Sequence, residues 1–208
     1  MELRDAIEAR WACKLYDAAA PLPREDEDAI LDAGRLTPTS FGLEHWRFVA
    51  VRDEVLKMKL FGACFMQEGV RTAPLTVVSL VRAARFYAPD ADFVKARAAR
   101  FPGGQPVFVD DYRGYYEFLS SRGELEYWAR SQAYLACAAM MYAAADRGYA
   151  SCAIEGYDEA KVMDALADHL AGFDRADWRV GILCTFGKPG EARRERIREP
   201  LSELVTRI

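Results

Sequence analysis

Histidine is scarce in this 208-residue chain, which contains two, and the five cysteines are scattered with no C-x-x-C pair. Neither His45 nor His169 lies in a cluster of metal-ligating residues, so we expect no metal site and no Ser–His–Asp chemistry. An odd number of dispersed cysteines favours reduced thiols over a disulfide framework, which predicts a cytoplasmic protein.

Several other signatures are missing. The chain has no G-x-G-x-x-G and no G-x-x-x-x-G-K-[ST] motif, which disfavours a Rossmann dinucleotide fold and a P-loop. Its net charge of −4 disfavours general nucleic-acid binding, which needs a basic surface. The longest apolar run, residues 133–145, is too short to span a bilayer, and the start MELRD lacks the regions of a signal peptide. We therefore expect no nucleic-acid partner and no membrane association.

Hydrophobic periodicity and chain breakers predict helices interleaved with strands. Helices are expected at residues 3–9, 23–33, 54–66, 125–147 and 158–170, with Asp158 as N-cap of the last and Gly148 closing the long one. Strands are expected at residues 46–51, 74–81 and 178–187. The aromatic stretch 86–123 is interpreted as a helical excursion inserted into a single domain spanning residues 1–208. This order is typical of an α/β or α+β fold.

Cationic and polar side chains are the candidates for a binding site. Arg10 and Lys14 lie four residues apart and would share a face if their segment is helical, although two solvated residues at a helix C-terminus explain the same pattern. The arginine-rich segment 193–198 is either a solvated tail or a phosphate site, for which forked guanidinium groups are suited. Gln132 and Glu155 are ordinary surface residues unless a cofactor lies against them.

Six short motifs follow one another along nearly the whole chain: RWACKLYD at 10–17, PTSFGLEHW at 38–46, Gln67 before Ala73-Pro74, Trp128 with Gln132, AIEGYD at 153–158 and RIR at 196–198. In this order and spacing they resemble the nitroreductase family of FMN-dependent NAD(P)H oxidoreductases, most closely its oxygen-insensitive nitroreductase and dihydropteridine reductase branch. The chain departs from the family pattern at five places. Ala12 stands for the usual Ser, Gly42 for Asn, Glu44-His45 for Gln-Pro, Val70 for Lys and Ala153 for Pro. These departures bear on substrate preference more than on FMN binding.

The resemblance implies an α+β, nitroreductase-like fold, with a central mixed sheet flanked by helices. It implies a domain-swapped homodimer with two FMN molecules at the interface, where the long alanine-rich helix is the main contact. It further implies ping-pong chemistry, in which NADH or NADPH reduces FMN and leaves. A nitroaromatic, a quinone or a similar electron-poor acceptor then takes the hydride.

The resemblance also implies how FMN is held. Arg10, Arg196 and Arg198 would bind its phosphate. Lys14 would lie near the N1–C2 carbonyl edge, where a cation stabilises the negative charge left by two-electron reduction. The backbone of Glu155 and Gly156 would lie beside N5, and no side chain need act as an acid.

Further contacts are expected from both subunits. The remaining predicted cofactor contacts are Trp11, Ala12, Pro38, Thr39, Ser40, Gln67, Gln132, Ala153 and Ile154, with Thr39 and Ser40 reaching FMN from the second subunit. The predicted substrate contacts are aromatic residues that would stack on the acceptor, namely Phe41, Tyr112, Tyr115, Tyr116 and Phe118.

Three alternatives stay open. In the first, the chain is a specialised flavin enzyme, such as a pteridine or enal reductase or a flavin-destroying or dehalogenating relative. In the second, it is a flavin-binding or sensing module without catalysis, whose FMN neither NADH nor NADPH bleaches. Or it is a purely structural dimer, in which charge reversal at Arg198 is harmless.

Overall fold

A computed structural model describes residues 2–208, which form four β-strands and nine α-helices. The strands are β1 (Trp46–Val51), β2 (Leu75–Arg82), β3 (Ala150–Ile154) and β4 (Trp178–Gly187). The helices are α1 (Leu3–Ala9), α2 (Arg24–Arg35), α3 (Glu54–Ala63), α4 (Glu68–Thr72), α5 (Asp92–Ala98), α6 (Gly104–Ser121), α7 (Leu125–Asp146), α8 (Glu159–Ala167) and α9 (Leu201–Leu204). Within this described part of the chain, none of the helices combines the length and apolar character needed to cross a membrane.

The strands form one sheet in the order β1-β2-β4-β3, and each neighbouring pair is antiparallel. The predicted mixed sheet is therefore corrected: within residues 2–208, parallel pairing is confined to an isolated bridge between Ala12 and Ser151. The mixed sheet was implied by the family resemblance; interleaved helices are compatible with either pairing, because a helical connection that re-enters the sheet at the end it left joins antiparallel strands. The sequence pattern missed β3, because its residues include few of the β-branched and aromatic types that favour strands.

The two central strands are covered on both faces, which the continuous apolar run at residues 74–81 indicates for β2. Alternate residues of β2 point to opposite sides. Val77 and Val81 join a core beneath α7 and α6, whereas Val78 and Leu80 join a core beneath α3 and α8. The sheet therefore forms the middle layer of a three-layer structure.

Helix α7 lies directly against the sheet. A Cβ placed on Gly181 of β4 would be 2.7 Å from the Cβ of Ala133, so glycine and alanine together permit this close approach. The helix ends at Asp146 and is closed, as predicted, by Gly148, which has φ +74° and donates its N–H to the carbonyl of Ala145. The predicted N-cap of α8 is also confirmed, since the Asp158 carboxylate accepts from the backbone N–H of Lys161.

Residues 86–123 are largely helical. A 3-10 turn (Ala84–Tyr87) precedes α5 and α6, and α6 buries Phe108, Tyr112 and Leu119 in the same core as α7. The Tyr112 hydroxyl donates to the backbone carbonyl of Tyr87 at 2.6 Å. The segment is thus anchored to the main core through its buried face.

Helix α3 is shorter than predicted. It ends at Ala63 rather than at residue 66, because Phe65 and Met66 adopt left-handed conformations with φ of 55° and 56°. Both side chains are exposed, and this turn places Gln67 beside the loop that follows β3.

Candidate functional site

Segment 10–17 is extended rather than helical. Helix α1 ends at Ala9, and Arg10 has ψ of 134°, outside the helical region. Ala12 forms a parallel bridge with Ser151, because β3 is an edge strand with backbone groups available for pairing. The condition under which Arg10 and Lys14 would share a helical face is therefore not met, although both residues line one cleft.

A buried tyrosine anchors this segment to the sheet. The hydroxyl of Tyr16 donates to the carbonyl of Thr185 at 3.1 Å, and its backbone N–H donates to Oγ1 of Thr72 at 3.0 Å. Gly190 passes so close that a Cβ there would lie 2.7 Å from the Tyr16 carbonyl carbon. The chain leaving β4 is thereby held against the N-terminal segment.

The two ends of the chain enclose a cleft of about 300 Å³, here called the cationic cleft. Its lining is Arg10, Trp11, Ala12, Lys14, Arg194, Glu195, Arg196, Ile197 and Arg198. Within residues 2–208, no carboxylate lies within salt-bridge distance of the Arg10 or Arg198 guanidinium groups. Glu195 also lines the cleft and Arg194 pairs with Glu191 at 3.3 Å, so the unpaired guanidinium groups of the described chain here are those of Arg10 and Arg198. Unpaired guanidinium groups favour an anionic ligand and suit phosphate.

Arg196 attaches the C-terminal tail to helix α1. Its guanidinium donates to the backbone carbonyls of Ile7, at 2.7 Å, and of Arg10. Arg193 similarly donates to the carbonyl of Glu8. These carbonyls belong to the last turn of α1 and its cap, where a helix leaves acceptors unpaired. The expected phosphate contact of Arg196 stays a prediction, since the structure shows it as a tether.

Lys14 is held at both its backbone and its side chain. The backbone N–H groups of Lys14 and Leu15 donate to Oε1 of Glu191 at 2.5 and 3.2 Å. The N–H of Lys14 and the nearby Arg194 hold the pKa of Glu191 below its usual value. The Lys14 ammonium donates to Sγ of Cys152 at 3.0 Å. Sequence reasoning missed Glu191 and Cys152, which belong to no motif and are recognisable only from their position beside Lys14.

The turn after β3 is held by Gln67 and lies beside Tyr134. The side-chain amide of Gln67 donates to the carbonyl of Gly156 at 2.8 Å, and a Cβ on Gly156 would lie 3.2 Å from that amide nitrogen. On the other side, partial burial and the nearby Glu155 carboxylate raise the pKa of Tyr134 to about 12. Tyr134 is therefore a site neighbour that the sequence did not reveal. Gln67 and the turn formed by Glu155 and Gly156 thus lie together, and their contacts with FMN stay a prediction.

A second group of predicted site residues surrounds the loop at residues 38–44, here called the Ser40 loop. The backbone N–H of Ser40 donates to the side-chain carbonyl of Gln132 at 2.9 Å, and the N–H of Glu44 donates to the Thr39 hydroxyl at 3.1 Å. The Gln132 amide nitrogen donates to the carbonyl of Trp128 at 3.3 Å. Gln132 thus supports the loop, and its hydrogen bond to FMN stays a prediction. Pro38, at the start of the loop, is exposed.

The predicted substrate aromatics cluster on the Ser40 loop. Phe41 has φ of 56° and packs its ring 5.2 Å from Tyr112 and 5.6 Å from Tyr115. Tyr116 lies 6.1 Å from Tyr112, and Phe118 lies 6.5 Å from Tyr115. Tyr112 is fully buried, which assigns it to the wall behind Phe41 rather than to the accessible surface. Within residues 2–208, no hydrogen bond joins the Ser40 loop to the cationic cleft.

Beneath the Ser40 loop lies a buried imidazole. His45 is fully buried, its ring packs edge-on at 4.4 Å from Trp128, and neither nitrogen has a hydrogen-bond partner among the described residues. Burial lowers the pKa of His45 to about 3. Across residues 2–208, no three His, Cys, Asp or Glu side chains gather into a group able to hold a metal ion.

Comparison with known proteins identifies the family. The chain matches the nitroreductase family over residues 7–188. It is 30% identical over 213 residues to a Staphylococcus haemolyticus protein provisionally named an NAD(P)H nitroreductase, covering 97% of this chain and 94% of that protein. The chain therefore belongs to the nitroreductase family, and the family resemblance of its motifs is confirmed.

Solved structures confirm the α+β nitroreductase fold. A provisionally named nitroreductase of Exiguobacterium sibiricum, solved in complex with FMN, matches with a TM-score of 0.77 and 21% identity over 100% of this chain and 98% of its own. A gut-bacterial enone reductase of fatty acid saturation matches with a TM-score of 0.79 and 17% identity over 100% of this chain and 98% of its own. At these identities the likeness concerns the fold alone.

Proposed function

We propose that this protein is an FMN-dependent NAD(P)H oxidoreductase that passes a hydride to a flat, electron-poor acceptor. The observation that carries the proposal is the cationic cleft, in which Arg10, Lys14, Arg196 and Arg198 converge from opposite ends of the chain. Membership of the nitroreductase family supports it, as do relatives named for NAD(P)H and a structural neighbour solved with FMN.

The donor set of the cleft fits FMN. Arg10 and Arg198 would hold the phosphate, because their guanidinium groups have no acidic partner within residues 2–208 and can form charge-assisted hydrogen bonds. Lys14 would hold the pyrimidine edge, and the Glu155–Gly156 backbone would lie beside N5. When bound, FMN supplies the ring that accepts and donates hydride.

FMN affinity after charge reversal tests this assignment. Arg198→Glu should weaken FMN binding by about tenfold to hundredfold, because a charged hydrogen bond is worth about 1.5–3 kcal/mol. Arg175→Glu is the matched control, since Arg175 is exposed, pairs with Asp164 and lines no part of the cleft. Equal FMN affinity of the two variants would contradict the placement of the FMN phosphate beside Arg198, and absence of FMN binding by the wild-type protein would leave the purely structural reading.

The working unit is proposed to be a domain-swapped homodimer. The C-terminal tail exposes large apolar side chains that a lone chain leaves in water: Ile197, Leu201, Leu204 and Ile208. A separate cleft, which is mostly apolar and has a volume of about 410 Å³, lies between α1, α2 and α7 and includes Leu3, Ala139 and Tyr142. Exposed apolar surface of this kind favours contact with a second copy. Light scattering should give a dimer, and deletion of residues 199–208 should shift it toward monomer.

Acceptors are proposed to include nitroaromatics and quinones that stack on Phe41 and Tyr115, which form the accessible side of the Ser40-loop aromatics. The second candidate is an enone-type reductase, which the enone reductase among the structural neighbours suggests. Steady-state rates with a nitroaromatic, a quinone, an enal and a dihydropteridine separate the candidates. A cytoplasmic location is supported by the cysteines, which are all buried free thiols.

A further inference from the structure

A buried thiol holds the ammonium group of Lys14. The Lys14 side chain reaches from an exposed position in the cationic cleft to Sγ of Cys152, which accepts a hydrogen bond at 3.0 Å. Cys152 is 1% exposed. Within residues 2–208, no carboxylate lies within salt-bridge distance of the ammonium. The thiol is therefore its one side-chain anchor in the described chain.

Both partners of this contact are fixed by the sheet. Cys152 lies opposite Thr185 of β4, whose hydroxyl donates to the Cys152 carbonyl at 3.3 Å. The residue before Lys14 donates its backbone N–H to the carbonyl of Ser151 at 3.2 Å. The strand that carries the thiol continues into Glu155 and Gly156. The contact therefore ties the cationic cleft to the turn after β3.

The chemistry of the anchor matters for the charge that it holds. A carboxylate partner would largely neutralise the ammonium, whereas sulfur is a weak acceptor that leaves most of the positive charge uncompensated. A free lysine side chain populates many rotamers, and a contact at its end reduces this number. A thiol therefore orients Lys14 while preserving its field.

We propose that Cys152 is a positioning residue, which holds the Lys14 ammonium toward the cofactor and thereby raises the reduction potential of bound FMN. This inference rests on the proposed function. Two-electron reduction leaves negative charge on the flavin N1–C2 carbonyl region, and an oriented cation stabilises that charge. Without Cys152, Lys14 spends more time in water, and the reduced flavin loses part of this stabilisation.

The test is the midpoint potential of FMN bound to the full-length protein, measured anaerobically against a reference dye. Cys152→Ala should lower the reduced-to-oxidised ratio at a fixed potential by about tenfold, which for two electrons is about 30 mV. Cys152→Val, which suits a strand and also lacks an acceptor, should give the same shift if the alanine variant folds poorly. Cys152→Ser, which keeps an acceptor, should lie closer to wild type.

Two controls separate positioning from general disturbance of the sheet. Cys184→Ala removes a buried thiol from the adjoining strand, opposite Ala153, and should leave the potential unchanged. Lys14→Met should lower the potential by itself, and adding Cys152→Ala should then lower it no further. An equal shift from Cys152→Ala in the Lys14→Met background would overturn the inference.

The outcomes also separate this inference from the proposed function. If the wild-type protein takes up no FMN, both fall. If wild-type FMN is reduced by NADH or NADPH but neither Cys152→Ala nor Cys152→Val changes the potential, the proposed function stands and the positioning role of Cys152 is rejected.

Discussion

The guanidinium of Arg196 donates to the backbone carbonyl of Arg10, joining positions 186 residues apart in the sequence. The cationic cleft is therefore formed jointly by the N-terminal and C-terminal segments, and neither segment forms it alone. Arg196 also contacts the carbonyl of Ile7, so the tail is attached at the end of α1.

Loss of this tether should release the tail. We expect Arg196→Ala to make residues 197–208 more sensitive to limited proteolysis and to weaken FMN binding, because the hydrogen bonds to Ile7 and Arg10 are lost. Arg196→Lys keeps the positive charge but loses the paired N–H donors of the guanidinium group. It should therefore protect residues 197–208 from proteolysis only in part. Arg207→Ala serves as the tail control. Mass spectrometry of the fragments reads the result, and equal cleavage of Arg196→Ala and Arg207→Ala would refute the tether.

Glu191 should order the backbone at Lys14. It accepts from two consecutive N–H groups, those of Lys14 and Leu15. In Glu191→Ala, amide hydrogen exchange at these two positions should become faster, whereas exchange at Tyr16, whose N–H donates to Thr72, should change less. Uniform acceleration along residues 10–17 would instead indicate that the whole segment detaches.

The contact between α7 and β4 tolerates no added methyl group. A Cβ at position 181 would meet Ala133 Cβ at 2.7 Å and the carbonyl of Ser79 at 3.0 Å. Gly181→Ala should therefore destabilise the protein by about 1–3 kcal/mol through overpacking. Gly62→Ala in α3 is the matched control, since a Cβ there meets nothing within 4 Å and should stabilise by about 0.5–1 kcal/mol. Thermal unfolding of both variants measures the difference, and a Gly181→Ala protein as stable as wild type would contradict the packing.

The buried imidazole of His45 should make the protein sensitive to acid. Its pKa in the folded state is lowered by burial to about 3, so below pH 6.5 the unfolded chain binds a proton that the folded chain does not. Stability is therefore lost as pH falls from about 6.5 toward 3, at up to about 1.4 kcal/mol per pH unit. Denaturant unfolding at pH 7 and pH 5 should show a smaller loss for His45→Phe than for wild type, by about 2 kcal/mol. An identical loss in both proteins would show that His45 does not titrate in this way.

The sequence predicted the fold where local pattern and burial agree. The run at residues 74–81 became a strand covered on both faces, and Gly148 closed α7, because each signal is local. Strand β3 escaped prediction because its pairing with β4 and with Ala12 compensates for weak local propensity. The antiparallel pairing was not predicted, because the direction of a strand depends on the end of the sheet at which its connection re-enters.

The sequence indicated which cationic residues lie together, but not the backbone geometry that brings them together. Arg10 and Lys14 reach one cleft through an extended segment rather than a helix, since pairing with the edge strand overrides local preference. Cys152 and Tyr134 escaped because their significance lies in contacts with Lys14 and Glu155, which are distant in sequence. The six motifs predicted the family correctly, as the match over residues 7–188 confirms.

The proposed flavin chemistry can be tested by an anaerobic visible spectrum of the purified protein after addition of FMN, recorded before and after NADH or NADPH. We expect that the protein retains flavin and that its long-wavelength absorbance bleaches with at least one nicotinamide. Flavin that binds but resists both nicotinamides would point to a binding module instead of an enzyme. Protein that retains no flavin would contradict the proposed FMN-dependent function.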